Sequence, residues 1–476
     1  LSRGLGDVYK RQMMDSIKSR IHRRVNLDNI RLRRMVYRSN YPELRFKNII
    51  IDGANTQQQA YIKKEFHKSD NKEFSYEDLK QGYFRLLSDN MISEIIPHAI
   101  YNPEDDTYDL HLKVKLENNF AVRLGGNIST SNSNQIYLGL SYQDLNYYAK
   151  EFVFDGQLGK VYNNAQFMAK IDFSTAIPTS YRFIASISTF DYFKKDKLFS
   201  RNDKPAFNQK DERFLKLQVG LPFLSSKRAE FGIGIARIED KYFQKSVIDF
   251  GNDKFDKSRY DLFGGSISFN GSTLNSRQYP TRGYREALIA QIFIGRERFY
   301  PGESATGNNN KEHHSWLQLS YMKEKYHNMS EHWVLGWYLK ALYASKNFSE
   351  NYTATMMQAG EFSPTQHSKL TYNEAFRANQ FVGAGIRPIY RLNQMFHLRG
   401  EFYGFMPIYP IERNSLNKAY YGKAFSKFEY LGEISVVCQL PFGDISAYVN
   451  HYSSPKREWN VGLSIGWQLF NYRFIE

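Results

Sequence analysis

Short runs of alternating apolar and polar side chains fill the chain from Phe120 to its end. A period of two residues is the pattern of a strand with two different faces, and the helical period fails over almost all of this region. The alternation predicts sixteen strands, an even number. They lie near residues 120–129, 136–143, 150–159, 165–173, 181–190, 213–221, 229–240, 258–270, 283–295, 314–324, 332–345, 376–390, 395–405, 425–440, 443–453 and 460–472.

The connections between these strands fall into two classes of length. If the first strand rises from the N-terminal side, the short connections meet at one rim and the long ones at the other. The short class is 144–149, 174–180, 222–228, 271–282, 325–331, 391–394 and 441–442, and the long class is 191–212, 241–257, 296–313, 346–375 and 406–424. Outer-membrane barrels sort their connections in this way, with short periplasmic turns and longer external loops. The pattern predicts a mostly β protein, with a 16-stranded transmembrane antiparallel β-barrel over residues 118–476.

The two faces of single strands agree with a barrel. In the last strand one row is apolar and suits lipid: Val461, Leu463, Ile465, Trp467 and Leu469. In the strand near 395–405, His397, Arg399 and Glu401 share one face, and Leu398 takes the other. Charged rows would be costly against a sealed apolar core, whereas a polar barrel lumen accepts them.

A different pattern precedes the barrel, in residues 43–117. Leu44 to Ile51 is apolar enough for a strand and stops at the turn dipeptide Asp52-Gly53. Two helices follow, each opened by a capping residue with a partner three positions later, namely Asn55 with Gln58 and Ser75 with Asp78. Strands near 95–101 and 108–116 complete the order βααββ. That order, directly before a long β-region, resembles a POTRA domain, the periplasmic module found ahead of outer-membrane translocator barrels.

Charge and composition narrow the class of protein further. Aromatic residues make up 16% of the chain, mean hydropathy is −0.58, and no apolar run approaches the ~18 residues of a transmembrane helix, which excludes a helical membrane protein. The formal charge is +15, but residues 1–40 carry eleven Lys or Arg against three Asp. The rest of the chain has no basic stripe interleaved with aromatics, so we exclude nucleic acid as a partner. The single cysteine, Cys438, excludes a disulfide framework.

The N-terminal segment before the POTRA resemblance has two parts. We interpret residues 13–42 as a basic connector. Residues 1–12 look like translated adapter read-through, an artefactual tail that we expect to pack on nothing. In that case the chain enters near Met13 and is a piece of a longer protein.

Several motifs match catalytic or metal-binding patterns but lie in the wrong structural context for that chemistry. Gly462-Leu463-Ser464-Ile465-Gly466 fits G-x-S-x-G, but Ser464 lies inside an alternating strand with no helix after it, whereas a nucleophile elbow needs a sharp strand-to-helix turn. Asp52-Gly53-Ala54 fits the D-G-[GA] of a Ser-Asp dyad but ends a strand and precedes the serine. The histidines, among them His313-His314, lack metal-ligand spacing, so we interpret them as loop or rim residues and predict no metal site, no cofactor and no catalysis in this chain.

Two segments carry a more specific resemblance. Pro280-Thr281-Arg282-Gly283, on the rim of short connections, resembles a turn common in POTRA-linked sixteen-strand barrels of the outer-membrane assembly and two-partner secretion superfamily. Phe376-Arg377-Ala378-Asn379 occupies the place of that superfamily's Val-Arg-Gly-Phe or Tyr motif in the sixth external loop, with Ala378 in place of the usual Gly. The resemblance implies that Arg377 folds into the lumen and pairs with an acidic residue of strand thirteen, so we expect it within hydrogen-bond range of Glu401 or an adjacent acidic residue of the wall.

The sequence around that motif resembles the C-terminal half of Bacteroidetes-type patatin-like phospholipases. The resemblance lies in Ser363-Pro364-Thr365 before the motif and Phe381-Val382-Gly383-Ala384-Gly385 after it. This implies a bacterial outer-membrane barrel with a periplasmic POTRA domain. Its function would be to anchor or translocate an upstream patatin-like lipid acyl hydrolase domain, with outer-membrane lipid as a further partner. The alternative is an assembly or secretion factor that handles unfolded client strands by β-augmentation at the barrel seam and POTRA edge. A passive porin or adhesin is the third class, although porins need no POTRA domain.

Overall fold

The structure is a computed structural model, which describes most of the chain. The described residues are 13–14, 16, 18–20, 27–39, 44–66, 73–87, 89, 91–104, 106–130, 134–173, 177–193, 206–223, 227–244, 254–303, 305, 309–454, 459–470 and 472–476. The predicted artefactual tail, residues 1–12, lies outside them. No helix among them is long and apolar enough to cross a membrane.

A small α+β unit precedes the barrel, as the sequence predicts. Its elements are α1 Leu27–Ser39, β1 Arg45–Asp52, α2 Thr56–Phe66, β2 Phe74–Ser75, α3 Tyr76–Leu87, β3 Ile92–Asn102 and β4 Thr107–Leu116. The sheet order is β2-β1-β4-β3, with β1 parallel to β4. We call β1 to β4 with α2 and α3 the POTRA-like domain. The two-residue strand β2 was not predicted.

Both predicted capping boxes are confirmed. The amide of Gln58 donates to Asn55 Oδ1 at 2.9 Å while the Gln58 side chain accepts from the Asn55 amide, also at 2.9 Å. Ser75 accepts at its Oγ from the Asp78 amide at 3.2 Å, and Asp78 accepts from the Ser75 amide at 3.0 Å. Each pair satisfies two donors that a helix start leaves free.

The remaining long strands close into one antiparallel barrel of sixteen strands. They are β5 Phe120–Ser129, β6 Gln135–Leu145, β7 Ala149–Gly159, β8 Tyr162–Phe173, β9 Thr179–Phe193, β10 Ala206–Phe223, β11 Lys227–Tyr242, β12 Asp256–Ser272, β13 Gly283–Tyr300, β14 Asn310–Asn328, β15 Trp333–Ala344, β18 Gln380–Arg391, β19 Phe396–Pro407, β22 Glu429–Leu440, β23 Gly443–Tyr452 and β24 Trp459–Gly466. The shorter elements α4 Tyr352–Gln358, β16 Gly360–Glu361, β17 Arg377–Ala378, β20 Ile411–Arg413 and β21 Ala419–Tyr421 lie in the connections.

The POTRA-like domain packs against one end of the barrel. Leu145 and Ala149, on either side of the β6–β7 turn, are buried in the same apolar cluster as Ile62 and Leu110 of the domain. We call this end the near rim and the opposite end the far rim. The predicted short connections lie at the near rim and the predicted long ones at the far rim, as the topology requires.

Two predicted strands are shorter than the sequence pattern indicates, one at its end and one at its beginning. The last was predicted to continue to residue 472, but β24 ends at Gly466, whose φ of +111° is a left-handed conformation that favours glycine. Trp467 and Leu469 therefore leave the predicted lipid-facing row. The strand predicted at 376–390 begins at Gln380, because Arg377 and Ala378 pair with Glu361 and Gly360 in a small hairpin.

Candidate functional site

The long connection between β15 and β18, residues 345–379, folds back into the lumen. Its helix α4 reaches the wall opposite its own strands, where Lys210 Nζ donates to the carbonyl of Met357 at 3.0 Å. Tyr162 donates its hydroxyl to the carbonyl of Lys369 at 2.7 Å, and Asn351 donates to the Tyr242 hydroxyl at 2.7 Å. We call residues 345–379 the lumen loop. These bonds tie it to β8, β10 and β11.

Arg377 joins two parts of the lumen loop through hydrogen bonds and an ion pair. Its guanidinium is buried and donates to Glu361 Oε2 at 2.8 Å and to the carbonyl of Ala359 at 3.1 Å. Arg473, near the C-terminus, donates to the same Glu361 oxygen at 3.2 Å. One carboxylate thus joins the lumen loop to the C-terminal segment.

The predicted pair of Arg377 with Glu401 is not formed. Glu401 does face the lumen, on the same side of β19 as His397 and Arg399, while Leu398 is 43% exposed on the outer wall. Its carboxylate, however, accepts hydrogen bonds from Arg399 and from the Tyr403 hydroxyl. The correction has a simple cause: Glu361 is on the lumen loop itself, close enough in sequence to reach Arg377 through the β16–β17 hairpin.

The wall side of this region is a buried ionic network. Arg387 of β18 lies between Glu324 and Glu401, with a distance of 3.5 Å from its Nε to Glu401 Oε2, and its Nη2 donates to the carbonyl of Pro364 in the lumen loop at 3.2 Å. Side chains of Arg387, Arg399 and Glu401 are at most 5% exposed. We call Glu324, Arg387, Arg399 and Glu401 the wall network. Sequence reasoning missed Arg387 and Glu324, although the alternation of β18 and β14 places both in lumen-facing rows.

The other residues of the loop motif pack locally. Phe376 is buried against Phe405 with ring centroids 5.6 Å apart, and Ala378 is fully buried. Asn379 accepts at its carbonyl from the amide of Ala344 at 2.7 Å and donates its side-chain amide to the Tyr421 hydroxyl at 3.0 Å. The motif therefore fixes the point where the lumen loop rejoins the wall.

The predicted near-rim turn also touches the wall network. Pro280 accepts at its carbonyl from Arg399 Nη1 at 2.8 Å, and Thr281 and Arg282 donate their amides to Asn275 Oδ1. Gly283 closes the turn with φ of +89°, where a Cβ would lie 2.1 Å from the carbonyl oxygen of Thr273. The structure thus brings the turn and Glu401 together through Arg399.

The C-terminal segment, of which residues 467–470 and 472–476 are described, leaves the wall and crosses the lumen. Phe474 is 2% exposed and packs against Phe214 and Phe293, with ring centroids 5.8 Å away in both cases. A Cβ on Gly234 or Gly264 would lie 2.8 or 3.2 Å from the Phe474 ring, so glycines form its socket. The sequence shows both glycines but not what they accommodate.

This departure leaves a short seam between the first and last barrel strands. β24 pairs with β5 only at Ser464, Ile465 and Gly466, opposite Ser129, Ile128 and Asn127, whereas each other neighbouring pair is joined over at least eight residues among those that the structure describes. The near-rim part of β5, Phe120 to Gly125, is exposed throughout. Within the described residues it has no strand partner on this side.

The predicted decoys occupy structural positions. Ser464 lies within β24 and donates to Asn127 Oδ1 at 2.7 Å across the seam, and Asp52 ends β1. His314 is not a rim residue as predicted but is buried in the lumen. Its Nε2 lies 2.9 Å from Glu297, and Glu312 completes a group with ligand atoms within 4.8 Å of one another.

Comparison with known proteins places this fold. No protein-family profile and no curated protein sequence matches the chain. Among solved structures, it is similar to BamA from Haemophilus ducreyi lacking POTRA domains 1-3, at 13% identity and a TM-score of 0.58, over 89% of this chain and 84% of that one. CdiB from Acinetobacter baumannii matches at 9% identity and a TM-score of 0.51, over 89% and 74%, and CdiB from Escherichia coli at 11% and 0.50, over 89% and 76%. At these identities the likeness shows a shared fold and no more.

Proposed function

We propose that this chain is an outer-membrane assembly or secretion factor that pairs client strands with the exposed edge of β5. BamA and CdiB are translocator barrels involved in assembly or secretion, and their shared architecture supports this reading. The observation that carries it is the seam. In this proposal the POTRA-like domain is periplasmic, the near rim faces the periplasm, and the far rim faces outward.

The seam is the weakest joint of the wall for a physical reason. A backbone hydrogen bond contributes about 1 kcal/mol net in water, and an unpaired backbone group in hydrocarbon costs several kcal/mol. The edge from Phe120 to Gly125 keeps its β6 pairing but presents a free side toward the seam. An incoming strand that pairs there satisfies those groups, which is the chemistry of β-augmentation.

The glycines at the seam favour opening at this place. Gly126 has φ of +152° and Gly466 has φ of +111°, and the Trp467 amide donates to the Gly126 carbonyl at 2.7 Å. A Cβ on Gly466 would lie 2.2 Å from that carbonyl oxygen. The last strand therefore turns inward here and does not extend the pairing toward the near rim.

Cross-linking the seam tests the proposal. In a Cys438→Ser background, Ile128→Cys and Ile465→Cys place two outward thiols at paired positions, which a bis(methanethiosulfonate) reagent joins reversibly. The assay is the rate at which a urea-unfolded eight-stranded outer-membrane barrel folds into vesicles that contain the chain. The cross-link should lower this rate to that of empty vesicles, and reductant should restore it.

The matched control joins a fully paired part of the wall. Ile267→Cys and Ala290→Cys lie opposite each other on β12 and β13, where pairing covers both strands. This cross-link should leave the folding rate unchanged. A seam-locked chain that still accelerates folding would contradict the proposal.

The patatin hypothesis rests on resemblance alone and is the second candidate. In it the barrel anchors or translocates an upstream acyl hydrolase domain. Genomic sequence upstream of Met13 separates the two: a G-x-S-x-G elbow after a strand, with a later D-G-[GA], supports the hydrolase, whereas further βααββ units support assembly.

A further inference from the structure

The outer wall from β9 to β14 carries an apolar belt with a charged margin on each side. The side chains of the belt are large, apolar and exposed. They include Ile187, Leu215, Ile235, Phe263, Ile294 and Leu317. At the near rim its charged side chains form ion pairs, because Glu286 pairs with Lys227 at 2.6 Å and with Lys323 at 3.3 Å. The far-rim margin is different.

Arginines gather at the far-rim margin in one register of the sheet. Arg213 lies opposite Arg237, Arg237 opposite Asp261, and Asp261 opposite Arg296. Like charges directly opposite each other in a sheet are destabilising, so an anion bound between Arg213 and Arg237 would stabilise this part of the wall. Asp261 forms an ion pair with Arg237 at 2.6 Å. Among the described residues, no acidic side chain lies within ion-pair distance of Arg213 or Arg296.

The next register toward the far rim is mixed in charge. Arg259 lies directly opposite Arg298. Arg298 is 3.6 Å from Asp261, the one acid that it shares with Arg237. This register also contains Asp211 and Glu239, which pair with Lys241, so the two registers hold five arginines against three acids. Neither Asp211 nor Glu239 lies within ion-pair distance of Arg213 or Arg296, and these two guanidinium groups keep their positive charge uncompensated.

Beneath these arginines the outer wall is hollow. The hollow has a volume of about 880 Å³ and is lined by apolar side chains that include Phe154, Phe167 and Ile187, with Arg213 and Arg296 at its upper edge. Small residues deepen it, since Ala165 and Ala185 also line it.

We propose that this hollow binds a phosphorylated, multiply acylated glycolipid of the outer leaflet. Arg213, Arg237, Arg296 and Arg298 hold its phosphates, because a guanidinium matches a phosphate oxygen pair, and the acyl chains fill the apolar hollow below. Arg213 and Arg296 line the hollow at its far-rim side, so the lipid belongs to the leaflet at the far rim. The inference rests on the proposed outer-membrane orientation but not on the assembly role.

Lipid binding in detergent tests the site directly. The full chain, delipidated in dodecyl maltoside, is titrated with lipid A, and bound lipid is counted by native mass spectrometry. Arg213→Gln with Arg296→Gln should weaken binding about tenfold, the scale of two lost arginine–phosphate pairs. The control, Lys323→Gln with Lys325→Gln on the near-rim margin, should bind as the unmodified chain does.

The ligand series separates the possible sources of the phosphate. Dephosphorylated lipid A should bind the unmodified chain at least about tenfold more weakly, which tests the site without any substitution. Inorganic phosphate at the same concentration should not compete. Equal binding of both lipids, competition by phosphate alone, or equal loss in the Lys323 and Lys325 control would each overturn the proposal. None of these three outcomes depends on client folding, so failure here is distinguishable from failure of the assembly role.

Discussion

Replacing Glu401 by Gln should be among the most damaging single-atom changes in the barrel wall. The substitution keeps the shape of the side chain and removes one negative charge from the wall network. Arg387 then keeps Glu324 as a carboxylate partner, whereas Arg399 loses the one carboxylate of the network with which it pairs. Arg399 is 2% exposed, so water cannot readily replace the lost charge.

The magnitude follows from burial and distance. Two unit charges about 4 Å apart interact by about 4 kcal/mol at an effective dielectric constant of about 20. Breaking a buried pair by removing one partner costs about 3 to 5 kcal/mol. The double substitution Arg399→Leu with Glu401→Gln, compared with each of the two changes alone, removes both charges and leaves chiefly the Pro280 carbonyl without its donor, about 1 to 3 kcal/mol. The two positions should therefore show a coupling energy of at least about 2 kcal/mol.

Urea unfolding in lipid vesicles, followed by tryptophan fluorescence, measures these free energies. Glu239→Gln is the matched control, because Glu239 faces outward and lies 3.8 Å from Lys241 with 28% of its side chain exposed. That change should cost less than about 1 kcal/mol. A Glu401→Gln cost equal to the control, or strict additivity in the double variant, would refute the account of the wall network.

Four further outcomes follow from particular contacts. Phe474→Ala should cost about 3 to 5 kcal/mol in the same unfolding assay, against a smaller loss for the outward Phe402→Ala, and equal losses would mean that the C-terminal segment is not packed in its socket. Gly466→Ala should destabilise the chain by at least about 1 kcal/mol through its left-handed backbone, and a neutral result would exclude that conformation. Burial raises the pKa of Asp89, so the folded state keeps a proton that the unfolded state releases. Stability of the POTRA-like domain should therefore fall as pH rises above about 4 in thermal unfolding, and Asp89→Asn should flatten that slope; an unchanged slope would show that this carboxyl is not responsible. The chain should not hydrolyse short acyl esters, and activity that disappears in Ser464→Ala would reverse the assignment of that serine to the wall.

The sequence predicted the barrel well because alternation is a property of the wall itself. Each of the sixteen predicted strands has a counterpart, and the first matches β5 in both bounds. The errors lie at strand ends. β10 begins at Ala206 and not at 213, and β14 extends from Asn310 to Asn328 and not only from 314 to 324. Charged outward side chains beyond the apolar belt break the apolar alternation although the backbone pairing continues through them.

The lumen could be predicted only in part. Alternation assigned Glu401 and Arg399 to the inner face, but the partner of Arg377 depends on how the lumen loop folds. The antiparallel pair β16–β17, which brings Glu361 to Arg377, has no periodic signal in the sequence. Each of its strands has only two residues, too few for an alternation to repeat. The contact of Arg473 with Glu361 joins residues 112 positions apart, which no local pattern encodes.

The inward turn at Gly466 links the closed lumen to the open seam. A β24 continued along the predicted row would have paired with Phe120 to Gly125 and sealed the wall, but its residues would then be absent from the lumen. Phe474 instead fills the socket at Gly234 and Gly264, which offsets part of the pairing lost at the seam. A client strand at the β5 edge can therefore gain backbone hydrogen bonds without displacing the buried C-terminal segment. On this reasoning strand capture needs the short ladder from Ser464 to Gly466 and its flanking bonds, Thr130 to Leu463 and Trp467 to Gly126, to separate, while the lumen loop and the wall network stay intact.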